Sequence, residues 1–486
     1  MEVDVRALDA ASLEADVCVV GAGPAGLTIA RILATRAATH IIVLESAGRG
    51  LDPGAQTLSD GTTIGDPYTS PIVSRYRQAG GTAAIWNTWL GNEVGAKYVA
   101  LDAVDFEARE WWPLSGWPFD RALLEPYYDK ARLLCGLAPC GDAGRDEPSG
   151  DLALLTRDSS LLTTDLYEFG PARLFTDAYV RELQHSRNIM LCLHATAVRL
   201  ETDADGRSIT HVRAARVTGR PLRVKAKLYV LATGGIENAR LLLVSNGAGR
   251  PALGNQSDLV GRCFMEHPRD RSGRLIPADR GLLDRCGLHE FRHTTTHGVL
   301  MRRLTFADEA RRRERLPAMS ITLLPRRRVF PWWRGRGRNE PVGLLINLEQ
   351  VPDRENRVAL GADRDRFDTP KPEIHWRWRE RDRENLGRIR AVVAAELERS
   401  GVGRVTFDEE ALPDPNAHHH MGTTRMHRDP RHGVVTEDGR VHGVANLFVA
   451  GSSVFPTSGF ANPTLTILAL AVRLSEHLDG RLATGG

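Results

Sequence analysis

Cysteine is scarce. There are six in 486 residues, at positions 18, 135, 140, 192, 263 and 286, with no CxxC pair and no dense cluster. That excludes a disulfide framework and a cysteine zinc site, and it fits a reducing compartment. No apolar run reaches the ~18 residues of a membrane span. The first residues, MEVDVRALDAASLEADV, are acidic and lack a basic stretch followed by an apolar one, so they resemble neither a secretory nor a twin-arginine signal. A soluble, cytoplasmic chain is expected. Net charge is also scarce, at +3 from 64 basic and 61 acidic residues. Lysine contributes little, and arginine clusters as RRRER at 311–315, RRR at 326–328 and RGRGR at 334–338. With acid nearly balancing base, these read as solvated loops, and no nucleic-acid partner is expected. A second reading is that the arginines at 326–338, with Trp332 and Trp333 among them, line an entrance and favour an anionic or aromatic group.

What is present is ample apolar content, 42% of the chain. That supports two or three domains, or one large nucleotide-binding enzyme. Val17 to Val20 form a short, wholly apolar run, as a buried parallel strand does. Gly21-Ala-Gly23-Pro-Ala-Gly26 follows, and then LTIARILA at helical period. In such a turn Gly21 permits the bend, Gly23 lets a pyrophosphate approach the backbone, and Gly26 lets helix and strand pack closely. The helix start supplies free N–H groups and partial positive charge to phosphates. A second apolar strand, His40 to Leu44, ends in Glu45, whose carboxylate can accept from both ribose hydroxyls of an adenosine. These parts together specify a dinucleotide site. They leave FAD and NAD both open, though a fingerprint at the start of a long chain favours FAD.

Further along, residues 193–202 alternate like a strand, and the backbone near Ala197 and Val198 is expected to face adenine. LYVLATGGIENARLLLVSN runs from strand through Gly234-Gly235 into a helix, a second glycine turn beside the first. Gly80-Gly81, with Thr82, Ala83 and Ala84, suggests backbone packed against something flat. The aromatic stretch 111–128 reads as lid or core. Residues 266–411 read as an antiparallel sheet with insertions, followed by a helix over roughly 381–400.

Near the end, NLFVAGSS is a strand leading to Gly451 and Ser452. ANPTLTILALAVRLSEHL is a helix, with Asn462 read as its N-cap and Pro463 at its first position. The start of that helix, Pro463 and Thr464 included, offers N–H donors and about half a positive charge, suited to the N1–C2 carbonyl edge of a reduced flavin. Before it stands HHHMGTTRM, 418–426. Its three histidines could be a metal site, a solvated loop or a catalytic base. Consecutive positions in extended chain face opposite sides, so His418 and His420 should face away from His419, which disfavours a three-histidine metal site.

At these residues the sequence resembles the glucose–methanol–choline (GMC) oxidoreductases. The resemblance covers most of the chain: GAGPAG with Glu45, RQAGGTAAIW, LATGGIENARLLL, VGRCFMEHP at 260–268, and the C-terminal segment. In style it is closest to pyranose 2-oxidases and bacterial sugar and C-glycoside 3-oxidases. It implies an α/β fold with an FAD-binding, Rossmann-like domain discontinuous in sequence (1–100, 172–265 and 412–486). A substrate-binding part with its lid (101–171 and 266–411) would be built on an antiparallel sheet. It implies FAD held by Gly21, Gly23, Gly26, Glu45, Gly80, Gly81, Ala83, Val198, Gly234, Gly451, Ser452, Pro463 and Thr464, and no metal. In the family's H-x-x-G-T-x-R-M pattern the catalytic histidine lies six residues before the arginine. With Arg425 that selects His419, and Gly422, Thr423 and Met426 fit; His418 or His420 would take the role if the register slipped by one. The second family position falls on Asn462. The implied reaction is oxidation of a secondary alcohol of a sugar or glycoside, with oxygen or a quinone as acceptor; the alternatives are a dehydrogenase of a non-sugar alcohol using a quinone or other non-oxygen acceptor, and a non-redox lyase on the same fold. Glu266-His267-Pro268 is read as structural and outside the site. One departure matters: where pyranose 2-oxidases carry a flavin-linking histidine, this chain has Ile85, so FAD is expected to be non-covalent.

Overall fold

The computed structural model describes the chain except residues 37, 87, 91–92, 139–155, 157–158, 219–220, 246–250, 280–290, 295–297, 325–340 and 485–486. The arginine clusters at 326–338, with Trp332 and Trp333, therefore lie outside the described residues.

Val17 to Val20 are at most 3% exposed. Such a run must sit mid-sheet with both faces covered. Strand Ser12–Val20 does so, pairing in parallel with Ile41–Leu44 on one side and Leu222–Leu231 on the other. Ile189–Leu193 and Glu2–Asp4 extend the sheet beyond Ile41–Leu44, again in parallel. On the far side Leu447–Val449 pairs in parallel with Leu222–Leu231, which also starts an antiparallel meander through Ile209–Ala215 to Thr196–Thr202. Three of these strands end in a glycine turn of positive φ: Gly21 at 104°, Gly234 at 87° and Gly451 at 107°. Helices follow two of them directly: α1 (Pro24–Leu33) and α2 (Gly234–Val244). The last helix, α3 (Thr464–Ala483), packs beside α1 and against helix Arg121–Leu134. The strand ends thus converge on one edge, the place where open α/β sheets bind ligands.

A second, larger sheet is mostly antiparallel. Its neighbours run Gly403–Thr406, Arg274–Pro277, Val342–Leu348, Met319–Leu324, Gly298–Phe306, Leu162–Pro171, Glu93–Tyr98 and Thr88–Leu90. Thr88–Leu90 and Glu93–Tyr98 therefore pair into this sheet. A small third sheet joins Thr62–Gly65 to Arg357–Arg364 and Pro370–Trp376. Helix Glu380–Arg399 lies where the sequence pattern places it.

The aromatic stretch packs as core. Trp117 contacts Phe106, Phe119 and Phe455, and its indole N–H donates to Thr457 Oγ1 at 2.9 Å. Of the RRRER cluster Arg311 departs from a solvated position, whereas 312–315 are exposed as expected. Arg311 is fully buried in helix Asp308–Glu314, held by Asp105 at 2.6 Å and Asp102 at 3.3 Å. The physical reason is pairing: a guanidinium goes inside when carboxylates meet it.

Candidate active site

A cleft of about 470 Å³ opens between the strand ends of the first sheet and one face of the second. That lies within the ordinary range for a bound small molecule or cofactor. Of the residues expected at the cofactor, Gly21, Gly23, Glu45, Gly81, Gly234, Gly451, Ser452, Pro463 and Thr464 line it, as do His419 and Asn462. Four stand behind the wall. A Cβ on Gly26 would sit 2.0 Å from the Gly21 carbonyl oxygen, so that glycine closes the turn from within. Gly80 donates its N–H to the Ala22 carbonyl at 2.8 Å. Ala83 is buried beneath Thr82, Ile85 and Trp86, which do line the cleft. At the adenine end the lining backbone is Ala195 to Ala197, and Val198 lies just beyond it.

These residues fit FAD. The N-cap of α1 is Gly23, with no side chain to cap it and Pro24 next, so the first N–H groups of the helix face the cleft unclaimed. A Cβ at Gly234 or Gly451 would meet nothing within 4 Å and would project into open space. Glu45 accepts from the Ala22 and Ala47 N–H groups at 3.2 and 3.1 Å and lies at the end of its strand, as a ribose acceptor must. α3 also starts without a side-chain cap. Its N-cap is Pro463, one residue later than the pattern suggests, because the Asn462 side chain is engaged elsewhere.

That engagement is with His419: Asn462 Nδ2 lies 3.2 Å from His419 Nε2. The other ring nitrogen, Nδ1, is 2.9 Å from His267 Nδ1, and His267 Nε2 is 3.1 Å from the Ser458 carbonyl oxygen. The chain of bonds fixes the protons. A carbonyl only accepts, so His267 Nε2 carries hydrogen. Burial pushes the pKa of His267 down to about 4, the Ser458 carbonyl pulling weakly the other way, so the ring is neutral at neutral pH. Its Nδ1 is then bare and accepts from His419 Nδ1–H. Neutral His419 is left with a bare Nε2 lone pair, which meets the Asn462 amide. Burial, followed by the charges of His267, Lys97, Arg269 and His420, holds His419 well below its usual pKa. The result is an uncharged acceptor, half-buried in the wall of the cleft.

Backbone pairing makes this contact. Met265 and Met421 exchange hydrogen bonds at 3.0 and 3.1 Å, which brings residues 265–267 alongside 419–421. Glu266, fully buried, accepts from the His419 backbone N–H at 2.9 Å and the Tyr68 hydroxyl at 2.5 Å. Burial raises this carboxyl to about 7, with the donors from Tyr68, His419 and His267 opposing. Glu266 and His267 thus belong to the site, although the sequence reading left them outside it. A buried pair of polar residues in VGRCFMEHP was the available signal. The His418 and His420 rings lie 6.5 Å apart and share the side of Glu266, although His418 has φ of 60° and the segment is not a regular strand. His420 stacks on Phe264 at 5.8 Å, and its Nε2 stands 3.6 Å from Glu266. Glu266, His418 and His420 could offer ligand atoms within 4.8 Å of one another. Glu266, however, already accepts from the Tyr68 hydroxyl and from the backbone N–H groups of His267 and His419.

Residues 352–471 match the family model described as GMC oxidoreductase, and residues 5–62 match that of the Thi4 family. The chain is 25% identical to paromamine 6'-oxidase of Streptomyces fradiae, over 96% of this chain and 92% of that one. It is 27% identical to C-glycoside 3-oxidase of Arthrobacter globiformis, over 91% and 81% of the two. A solved structure of formate oxidase from Aspergillus oryzae RIB40 superposes with a TM-score of 0.60 at 16% identity, covering 96% of this chain and 98% of that one. The C-terminal part of the chain is thus similar to the GMC oxidoreductases. The chain is an FAD-dependent oxidoreductase acting on CH–OH groups, and the glycine-lined cleft has residues that fit the dinucleotide. Among the described residues, no helix of this oxidoreductase is long and apolar enough to cross a membrane.

Proposed function

We propose that the enzyme oxidises a secondary alcohol of a sugar or glycoside to a ketone, with His419 as base and Asn462 as its partner. The observation that carries this reading is the bare Nε2 of His419, 3.2 Å from Asn462 Nδ2, in the cleft shared with the glycine turns. Bound FAD supplies the hydride acceptor, N5. The protein's work is to hold the carbinol there and manage its proton. His419 Nε2 takes the hydroxyl proton as hydride leaves carbon, and a neutral imidazole in hydrogen-bond reach does this at neutral pH. Asn462 donates to the oxygen as negative charge develops on it, a fixed dipole aimed at the forming alkoxide. The uncapped start of α3 places positive potential where electron density accumulates after transfer.

The 6'-oxidase and C-glycoside 3-oxidase relatives support a sugar-derived substrate. The acceptor for the second half-reaction is oxygen or a quinone. FAD is held non-covalently, since Ile85 occupies the linking position and its side chain forms no such bond; acid precipitation should leave yellow flavin in the supernatant, and a yellow pellet would contradict this. The enzyme is assigned to the cytoplasm, in keeping with the free thiols of Cys18, Cys135, Cys192 and Cys263, all buried. The test of function is anaerobic. Purified enzyme is mixed with pyranosides and simple alcohols while the flavin band is followed. Bleaching by a pyranoside supports the assignment, and air readmission then separates oxidase from dehydrogenase. Bleaching by simple alcohols alone removes the sugar.

A further inference from the structure

The chain has five lysines. Four of them meet a carboxylate: Lys130 with Glu476, Lys225 with Glu14 at 3.3 Å, Lys227 with Asp16 at 2.8 Å and Lys371 with Asp60 at 2.7 Å. Lys97 differs. It lies on strand Glu93–Tyr98 in the second sheet and lines the active-site cleft. Its ammonium sits 4.2 Å from the centre of the Tyr167 ring, and among the described residues it has no hydrogen bond or ion pair. Its charge reaches both His419 and His267. Tyr167 is itself fully buried and fixed by a 2.6 Å bond to Ser320, so the platform under the ammonium is rigid.

Among the described residues the surroundings hold no counter-charge for it. Arg303 also lies over the Tyr167 ring, at 4.7 Å, but pairs with Asp165. Arg269 lines the same cleft, is held by Asp414 at 3.1 Å, and keeps a buried Nε without a partner. The carboxylates lining the cleft, among the described residues, are Glu45 and Glu237. Glu237 is tied to Arg75 and Arg77 at 2.7 and 3.0 Å, and Glu45 serves the nucleotide end. The substrate end therefore carries one uncompensated positive charge in a partly desolvated wall. Burial drives Lys97 toward a lower pKa, Tyr167 opposes this, and Arg303 and Arg269 add to it. A buried charge without a partner is costly, and an incoming anion relieves that cost.

We infer that the substrate's non-reacting end is a carboxylate, seated on Lys97 beside Arg269 while the carbinol faces His419. This deepens the glycoside reading and rests on it: the substrate class is a uronide, a glycoside bearing one carboxylate. A single unpaired ammonium balances one negative charge, whereas a phosphate monoester carries nearly two. An amine-bearing sugar would find no acid to meet it and should bind worst.

The experiment uses FAD-loaded enzyme and two matched pairs: methyl glucuronide against methyl glucoside, and lactate against propane-1,2-diol. Apparent Kd and limiting rate come from anaerobic flavin bleaching, and Kd also from the flavin band shift. The uronide should bind at least tenfold tighter than the glucoside. Lys97→Met should weaken uronide binding about 30-fold or more, the scale for removing one partner of a buried charge pair, and collapse the uronide-to-glucoside ratio. Lys97→Arg should restore much of that ratio, which a merely structural loss would not allow. Preference for lactate with both pyranosides inert would remove the glycoside reading and keep the anion site. Equal or tighter response to the neutral member of both pairs would overturn the anion site, as would a ratio unchanged in Lys97→Met. No response to any of the four would overturn both.

Discussion

At the scale of single residues, the account turns on the proton positions of two histidines. His267 accepts from His419 Nδ1–H and thereby presents the His419 Nε2 lone pair to the cleft. His267→Asn keeps an acceptor close to the position of Nδ1, whereas His267→Leu removes it. Stopped-flow flavin reduction should therefore fall about tenfold or more in the leucine variant and recover substantially in asparagine, general-base effects being of order 10²–10⁴. Equal rates in the two variants would show that the ring only fills space. The pH profile is a second readout. With His419 held well below its usual pKa by burial, the acid limb of flavin reduction should lie below pH 6.5, and a midpoint above that value would contradict the buried, neutral base. Much of this site was legible in sequence. The H-x-x-G-T-x-R-M spacing selected His419, and alternation set His418 and His420 aside. His267 was missed because its partner lies 152 residues away, and only the Met265–Met421 bridge brings the two segments together.

At the scale of elements, the glycine turns carry the geometry. Gly422 has φ of 86°, and a Cβ there would sit 2.1 Å from the Cys263 carbonyl oxygen. Gly422→Ala must push apart the two segments that seat His419 against His267. We expect a loss of about 1–3 kcal/mol, the scale of left-handed backbone strain, read as a lower Tm, together with slower flavin reduction. A variant with wild-type Tm and rate would show that the segments are free to separate. Elements of this kind were readable because their signal is local: an apolar run, a glycine turn, then helical period. The first strand, α1 and helix Glu380–Arg399 follow from such patterns. The order of the second sheet does not. Strand Leu162–Pro171 pairs with Gly298–Phe306 across more than a hundred residues, and no local period records which strand a neighbour will be. The α3 start shifted by one residue for a similar reason: tertiary contact with His419 won the Asn462 side chain from the cap.

At the scale of the whole molecule, buried titratable groups set acid stability. The folded pKa of His267 is lowered to about 4 from 6.5. Its neutral form is the one folding favours, so its contribution is complete above pH 6.5 and is lost as pH falls toward 4. The linkage is worth about 3 kcal/mol at most. His419 and His420 shift in the same direction, also chiefly by burial. Glu266, raised to about 7, acts oppositely, contributing most below its unfolded value and losing that as pH rises through 7. Within the site three histidines are lowered against one raised carboxyl; elsewhere burial also raises Glu45, Asp102, Asp105 and Asp382 and lowers His194, His211, His418, His427 and His477. Tm should fall between pH 6.5 and 4, and His267→Asn should show a shallower fall; an identical slope would mean that His267 is not buried in its neutral form. The central claim, that His419 in this cleft is the base for alcohol oxidation, is tested most directly by one comparison. Anaerobic flavin reduction by a reactive pyranoside is timed for wild type, His419→Ala and His420→Ala, each with its FAD content measured. The account predicts unchanged FAD, a loss of about a hundredfold or more for His419→Ala, and a much smaller loss for His420→Ala. Wild-type reduction by His419→Ala, with the damage in His420→Ala instead, would contradict it.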